Sequence, residues 1–269
     1  MEKQIIGRGL LAGAVAGVLA FGFAKIFLEP VIGRAIDFED GTAAAHQAME
    51  MAAGGHSHAG EGGELFSRGI QSTIGMGFGV VLFSIAMSAL FAVVFAVAYG
   101  RVGNVSARVL SVLVAAGMLI SLWIVPALKY PPNPPATSDD ATIFQRSMLY
   151  LLMVGLSAIL MVAAVYLGRQ LAPKLGAWNA TLVGGAAYLV AVFVVMLILP
   201  TISETPGPIV DGAGVIVFPG FPAIDMYEFR LYTFTTQLIM WTTIGLVFAV
   251  LISKMLDGRR KELDVTVAG

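Results

Sequence analysis

Cysteine is absent from this 269-residue sequence, which excludes disulfides, thiolate zinc sites and iron–sulfur clusters. Charge is almost as scarce. Only 12 % of the residues are Asp, Glu, Lys or Arg, against roughly 25 % in a soluble domain. A net charge of −1 offers no basic surface for nucleic acid. No G-x-x-x-x-G-K-[ST] segment is present to cradle phosphates, so ATP hydrolysis is not expected of this chain. Histidine occurs three times, at His46, His56 and His58.

What fills the sequence instead is apolar. Hydrophobic residues make up 58 %, and the charges gather between long apolar runs. A helix needs about 20 mostly apolar residues to cross the hydrocarbon core. Six stretches meet that requirement: Ile5–Leu28, Ile74–Tyr99, Arg108–Leu128, Ser147–Leu167, Asn179–Leu199 and Leu231–Ser253. The expected fold is an all-α integral membrane protein, one membrane domain over residues 1–269. Residues 29–73 form an outer loop carrying His, Met and acidic residues, and 254–269 form a cytoplasmic tail. The first run follows Lys3 and Arg8, as a signal peptide would. It exceeds the 7–15 residues of a signal h-region, however, and no clean cleavage site follows. Gly9, Gly13 and Gly17 recur at four-residue spacing within it, a surface suited to close helix contact. A retained span is the expectation.

Cytoplasmic loops are enriched in Lys and Arg. With six spans, one side holds Lys3, Arg8, Arg101, Arg108, Arg169, Lys174, Lys254, Arg259, Arg260 and Lys261. The other holds only Arg34, Arg68, Lys129, Arg146 and Arg230. This ten-to-five split places both termini in the cytoplasm. The acidic residues agree, with thirteen of seventeen on the opposite side. The histidine segment therefore faces outward.

The three outer connections share a rhythm. Each odd-numbered run exits at proline (Pro30, Pro126, Pro200), and each even-numbered run enters through an aromatic followed closely by Arg68, Arg146 or Arg230. This reads as three helical hairpins opening outward. The plain account is that prolines end helices and arginines snorkel at an interface. The other is that the three arginines pair structurally with outer-loop carboxylates. No acidic residue or histidine lies inside a span, where proton-driven pumps usually carry one. Lys25 is the one central-to-outer charge within them, four residues from Glu29 and on the same helix face; an interfacial pair is the simpler reading. The threonines and Gln237 of "TFTTQLIMWTT" suit helix packing, or else a wet path.

All three histidines fall within "HQAMEMAAGGHSHAGEGGE", residues 46–64. Neutral imidazole ligates Zn, Cu, Ni, Co and Fe. His56 and His58 flank one serine and can face one ion, and the glycines around them would let a site form around the metal. His46 and Met49 are spaced for one helical face. Glu61 and Glu64 add oxygen donors, whereas the thioethers of Met49 and Met51 favour Cu+. The competing account is a solvated loop that binds nothing.

The glycine-rich first run ending in "LEPVI" and the outer segment of acidic residues and histidines resemble the CbtA family, the larger subunit of a proposed cobalt transporter. So do "LFSRGIQSTIGMGFGVVLFSIAMSALFAVVFA", "VPALKYPPNPP" and "LPTISETPGP". The resemblance covers residues 1–255 and rests on apolar and proline-containing patterns. It implies a membrane component bringing cobalt into cells that make cobalamin, together with CbtB, a small single-span partner with a histidine-rich tail. That family is described with five spans, whereas six are counted here, and its ligands cannot be matched individually to these histidines. The family pattern also tends to place basic residues where Arg68, Arg146 and Arg230 stand.

The leading expectation is uptake of a divalent transition metal, cobalt first, with Ni2+, Zn2+ or Cu+ behind it as transported species. No bound cofactor is expected. Alternatives are a non-transporting sensing or assembly subunit, or a copper-handling membrane protein. No nucleophile–base pair or fixed metal motif points to an enzyme. Partners are the lipid bilayer, the small histidine-tailed subunit and further copies of the same chain; nucleic acid is not among them.

Overall fold

A computed structural model describes residues 2–54, 67–103, 105–135, 137, 141–202 and 205–268, with side chains followed as far as Leu256 in the last helix. Five helices are long and apolar enough to cross a membrane. They are α1 (Glu2–Ala52), α2 (Arg68–Ala98), α3 (Ala107–Lys129), α4 (Ile143–Ile198) and α5, which starts at Ala223 and continues to Ala268. Two short antiparallel strands, β1 (Ile209–Val210) and β2 (Ile216–Phe218), precede α5. The structure is thus all-α in character, with a small hairpin outside the bundle.

The bundle closes on small residues. In α1, Ala12, Ala16 and Ala20 are fully buried, and Gly9, Gly13 and Gly17 face α2. A Cβ on Gly13 would lie 2.8 Å from the Ser84 carbonyl oxygen and 2.9 Å from the Ile85 Cα. One on Gly17 would lie 2.7 Å from the Val81 Cα. The backbones therefore touch, and the Ser88 hydroxyl donates across the seam to the Gly9 carbonyl at 2.6 Å. A second seam joins α3 to α5. Gly245 leaves no room for a Cβ against Ala115, and Ser111 donates to the Gly245 carbonyl at 2.7 Å. Phe91, Phe95 and Phe248 pack edge to face between the seams, with Trp241 and Ile244 beside them.

The 56-residue α4 would be about 84 Å long if straight, far more than a ~30 Å hydrocarbon core. It is not straight. Gly176 has φ 77° and ψ 159°, outside the helical region, a conformation glycine tolerates for want of a Cβ. The chain folds back there, so that Gly184 abuts the Ala164 carbonyl and the Ser157 and Tyr188 hydroxyls lie 2.7 Å apart. These two arms correspond to the fourth and fifth expected runs. The pair attaches to the rest at the C-terminal end of α3, where Val125 and Tyr130 meet Met153, Tyr188 and Val192.

Two expectations need correction. Residues 29–52 are not loop: α1 continues unbroken past Pro30 to Ala52. The reason is a widened π-helical turn at Ala24–Leu28, where the Glu29 amide bonds back to Ala24. Proline lacks an amide hydrogen and crowds the carbonyl four residues behind; the wider turn just before it accommodates both defects. Leu119–Ile124 does the same ahead of Pro126, although α3 then ends at Lys129. The pairing of neighbours also differs from three successive hairpins. The first two runs do pack together and the end of α3 meets the first arm of α4, but the second arm of α4 packs on the first arm, and α5 lies against α1 and α3. The segment expected as a tail from residue 254 has a helical backbone as far as Ala268.

Substituting Gly13 by Ala should weaken the α1–α2 seam by roughly 1–3 kcal/mol, the usual cost of overpacking. Gly22→Ala, with nothing within 4 Å of the new methyl, should be neutral. Unfolding temperatures of the two variants in detergent would check this.

Candidate functional site

The end of the bundle assigned to the outside carries a set of polar clasps. At the α1–α2 entrance, Glu29 accepts from Arg68 at 2.9 Å and lies 3.9 Å from Lys25, whose Nζ donates to the Ser72 hydroxyl at 3.2 Å. Lys25 and Ser72 both sit on π-helical turns, Ala24–Leu28 and Gln71–Gly75, which rotate side chains out of the ordinary helical register. Lys25 therefore bridges helices rather than only snorkelling along its own.

A second clasp ties the extension of α1 to the start of α5. Arg34 donates to Asp225 at 2.6 Å and to Glu228 at 2.5 Å. The hydrogen bond to Asp225 raises the Arg34 pKa above its ordinary value, against a smaller lowering by burial. Three residues apart on one helix, the two carboxylates share a face and meet the guanidinium together. Asp225 is only 8 % exposed, and Phe38, Phe218, Phe221 and Met226 pack alongside with Ala35.

A third set holds the proline-rich connection after α3. Arg230 donates to the Pro132 carbonyl and to Asn133 Oδ1 at 2.9 Å, and Arg146 donates to the Pro131 carbonyl. Burial and the nearby charge of Arg146 lower the Arg230 pKa. Tyr130 donates to the Pro200 carbonyl at 2.8 Å, and Lys129 to Thr201 at 3.1 Å. Arg68 thus meets a carboxylate, while Arg146 and Arg230 both reach into "YPPNPP", whose prolines leave carbonyls without amide partners.

Of the metal ligands expected from sequence, His46, Met49 and Met51 lie on the last turns of α1, with His46 and Met51 exposed and Met49 half-buried. His46 and Met49 are one helical turn apart, and Glu50 is one turn on from His46. His56, His58, Glu61 and Glu64 fall outside the described residues. Among the described residues no three of His, Asp and Glu converge as a metal site. Exposed Asp37, Glu39, Asp40 and Glu50 make the extension acidic along its length. Such a rod attracts cations without fixing their geometry. On α5, Thr235 and Thr236 donate back to Leu231 and Tyr232, while Thr233 Oγ1 is buried without a partner among the described residues.

Sequence reasoning passed over Arg34, Asp225 and Glu228 as a unit. The only local signal was the i, i+3 spacing of the carboxylates; the cation stands 191 residues away. Arg34→Gln should destabilise the protein by roughly 1–2 kcal/mol, above the ~0–1 kcal/mol of an exposed pair, because Asp225 stays buried without its cation. Adding Asp225→Asn should recover part of the loss, measured by thermal unfolding in a double-mutant cycle.

A family model described as "Probable cobalt transporter subunit (CbtA)" matches residues 2–253, from the first turn of α1 well into α5. Comparison with curated proteins and with solved structures returned no match. The family match takes in both glycine seams, the fold-back at Gly176 and all three clasps, and on that extent the chain belongs to the CbtA family, whose description is that of a probable cobalt transporter subunit.

Proposed function

We propose that this chain is the membrane subunit for uptake of a divalent transition-metal ion, cobalt first, and that its outward-facing segment captures the ion. The observation carrying this reading is the family membership together with the acidic extension of α1, which bears His46 and Met49 beyond the apolar part of the bundle. Carboxylates raise the local concentration of cations; imidazoles of His46, His56 and His58 then give preference to transition metals over hard ions. Met49, Met51, Glu61 and Glu64 complete the proposed ligand pool. Capture is weak and exchangeable, as entry requires, because a tightly held ion would not move on.

The proposed arrangement in the cell membrane has six crossings with both termini cytoplasmic. The fold-back at Gly176 supports it by turning one apolar helix into two arms, and the ten-to-five split of basic residues supports the orientation. A small histidine-tailed single-span subunit is the proposed partner, since the family's own description is that of a subunit. The role is passage of the ion rather than enzymatic chemistry on it.

Topology reporters fused after Gly55 and after Ala268 should report opposite sides of the membrane. The same side for both would overturn the orientation or the crossing number.

Replacing His46, His56 and His58 together with Ala should lower cobalt accumulation at limiting external cobalt and leave the maximal rate nearly unchanged. Unchanged accumulation in the triple variant at limiting cobalt would sink capture by these residues while leaving transport itself open to direct assay.

A further inference from the structure

Two polar side chains stand without a partner in the half of α5 nearer the clasps. Thr233 Oγ1 is buried and meets no hydrogen-bonding group among the described residues. Half-buried Gln237, one turn further along the same face, makes no side-chain hydrogen bond among them either. That face is the interior one, since Met226 and Met240, two turns to either side of Thr233, are 6 % and 2 % exposed. The neighbours of Thr233 are held by different helices. Tyr232 packs on Phe23 and Phe27 of α1, and Phe234 on Trp123 of α3, so Thr233 faces the space between α1 and α3. Phe27 and Trp123 belong to π-helical turns, Ala24–Leu28 and Leu119–Ile124, and turns of that kind recur at functional sites.

We infer that Thr233 and Gln237 line a water-filled passage between α1, α3 and α5, where their oxygens replace part of the hydration shell of a divalent cation. The other role for such side chains in a membrane is to tie helices together, and this protein shows the form it takes. Ser88 donates to Gly9 across one seam, and Ser111 to Gly245 across the other. Thr235 and Thr236 donate to their own helix. Thr233 and Gln237 do neither. A polar group at membrane depth needs a partner, and water or a hydrated ion supplies one. Ser84, also a buried hydroxyl without a partner among the described residues, differs in lying in the α1–α2 seam, where the glycine backbones leave no space. Neutral oxygens hold a divalent ion weakly and leave the choice of metal to other groups. Asp225 and Glu228 stand earlier on the same helix, clasped to the acidic extension of α1, so a cation drawn to that end meets these oxygens next. The ion's part in this rests on the chain being a metal-uptake subunit; the wet passage does not.

The chain has no cysteine, so single cysteines placed in the full-length protein can be probed without background. The probe is 2-aminoethyl methanethiosulfonate, a small cation that reacts with thiolates and hence with thiols in contact with water. Thr233→Cys and Gln237→Cys should label roughly tenfold faster than Leu238→Cys, on an exposed apolar face, or Ile244→Cys, in the core. Unfolding temperatures matching the parent protein would show that the variants fold. Labelling of the first two variants no faster than of the last two would overturn the passage. In cells expressing the full chain, Thr233→Val/Gln237→Leu should lower the maximal rate of Co2+ accumulation several-fold and leave the half-saturating concentration unchanged. That is the opposite of the pattern expected when the capturing histidines are removed. An unchanged maximal rate would overturn the role in ion passage. Absence of accumulation in the parent protein would instead sink the uptake reading, and the ion's part with it, while the labelling rates would still decide the wet passage.

Discussion

Backbone contact between α1 and α2 is the constraint on which the rest of this structure depends. In a bilayer the hydrophobic effect does not drive helices together, because lipid tails are as apolar as leucine; close van der Waals approach and interhelical hydrogen bonds must serve. Gly9, Gly13 and Gly17 provide that approach, and Ser88 provides the bond. Beside the seam, Phe91 and Phe95 meet Phe248 and hold α5 in place. The Gly245–Ala115 contact seats α3 on α5.

The folded-back α4 stands apart from this scheme. Its outward faces are widely exposed, with Leu151, Val162, Leu189 and Phe193 each more than half accessible, as lipid-facing residues are in a membrane. Its own two arms hold each other through Gly184, Gly168 and the Ser157–Tyr188 hydroxyl pair. The bundle proper therefore comprises α1, α2, α3 and α5, and the α4 pair is joined to its side.

Hydropathy made the membrane class and the apolar runs legible, because lipid imposes the same length on every crossing. The four-residue glycine spacing announced a tight surface, though not that its partner would be the serine-bearing face of α2. Pro30 misled, because proline rules concern a regular α-helix and the chain widens one turn to accommodate it. At the same level Lys25 and Glu29 meet Ser72 and Arg68, contacts that no local pattern announces. Neighbour relations were equally hidden: consecutive runs joined by a long connection need not pack together, and α5 turned toward α1 and α3. Arg34 entered the sequence reading only as one of five outer basic residues, because its partners Asp225 and Glu228 lie far along the chain. The histidine pair at 56 and 58 remains a reading of sequence, since it lies outside the described residues.

The widened turn in α1 has a mechanical consequence. At about 77 Å, the 51-residue helix is a long rod, but its bending stiffness is uneven, because a π turn and a proline together break the regular bond ladder at one level. The extension and the apolar segment behave as two stiff lengths meeting at one compliant point. That point is also where Lys25 and Glu29 are braced to α2. A load applied near His46 therefore meets the Arg34 clasp to α5 first and the brace to α2 at Ala24–Leu28 next, both ahead of the glycine seam.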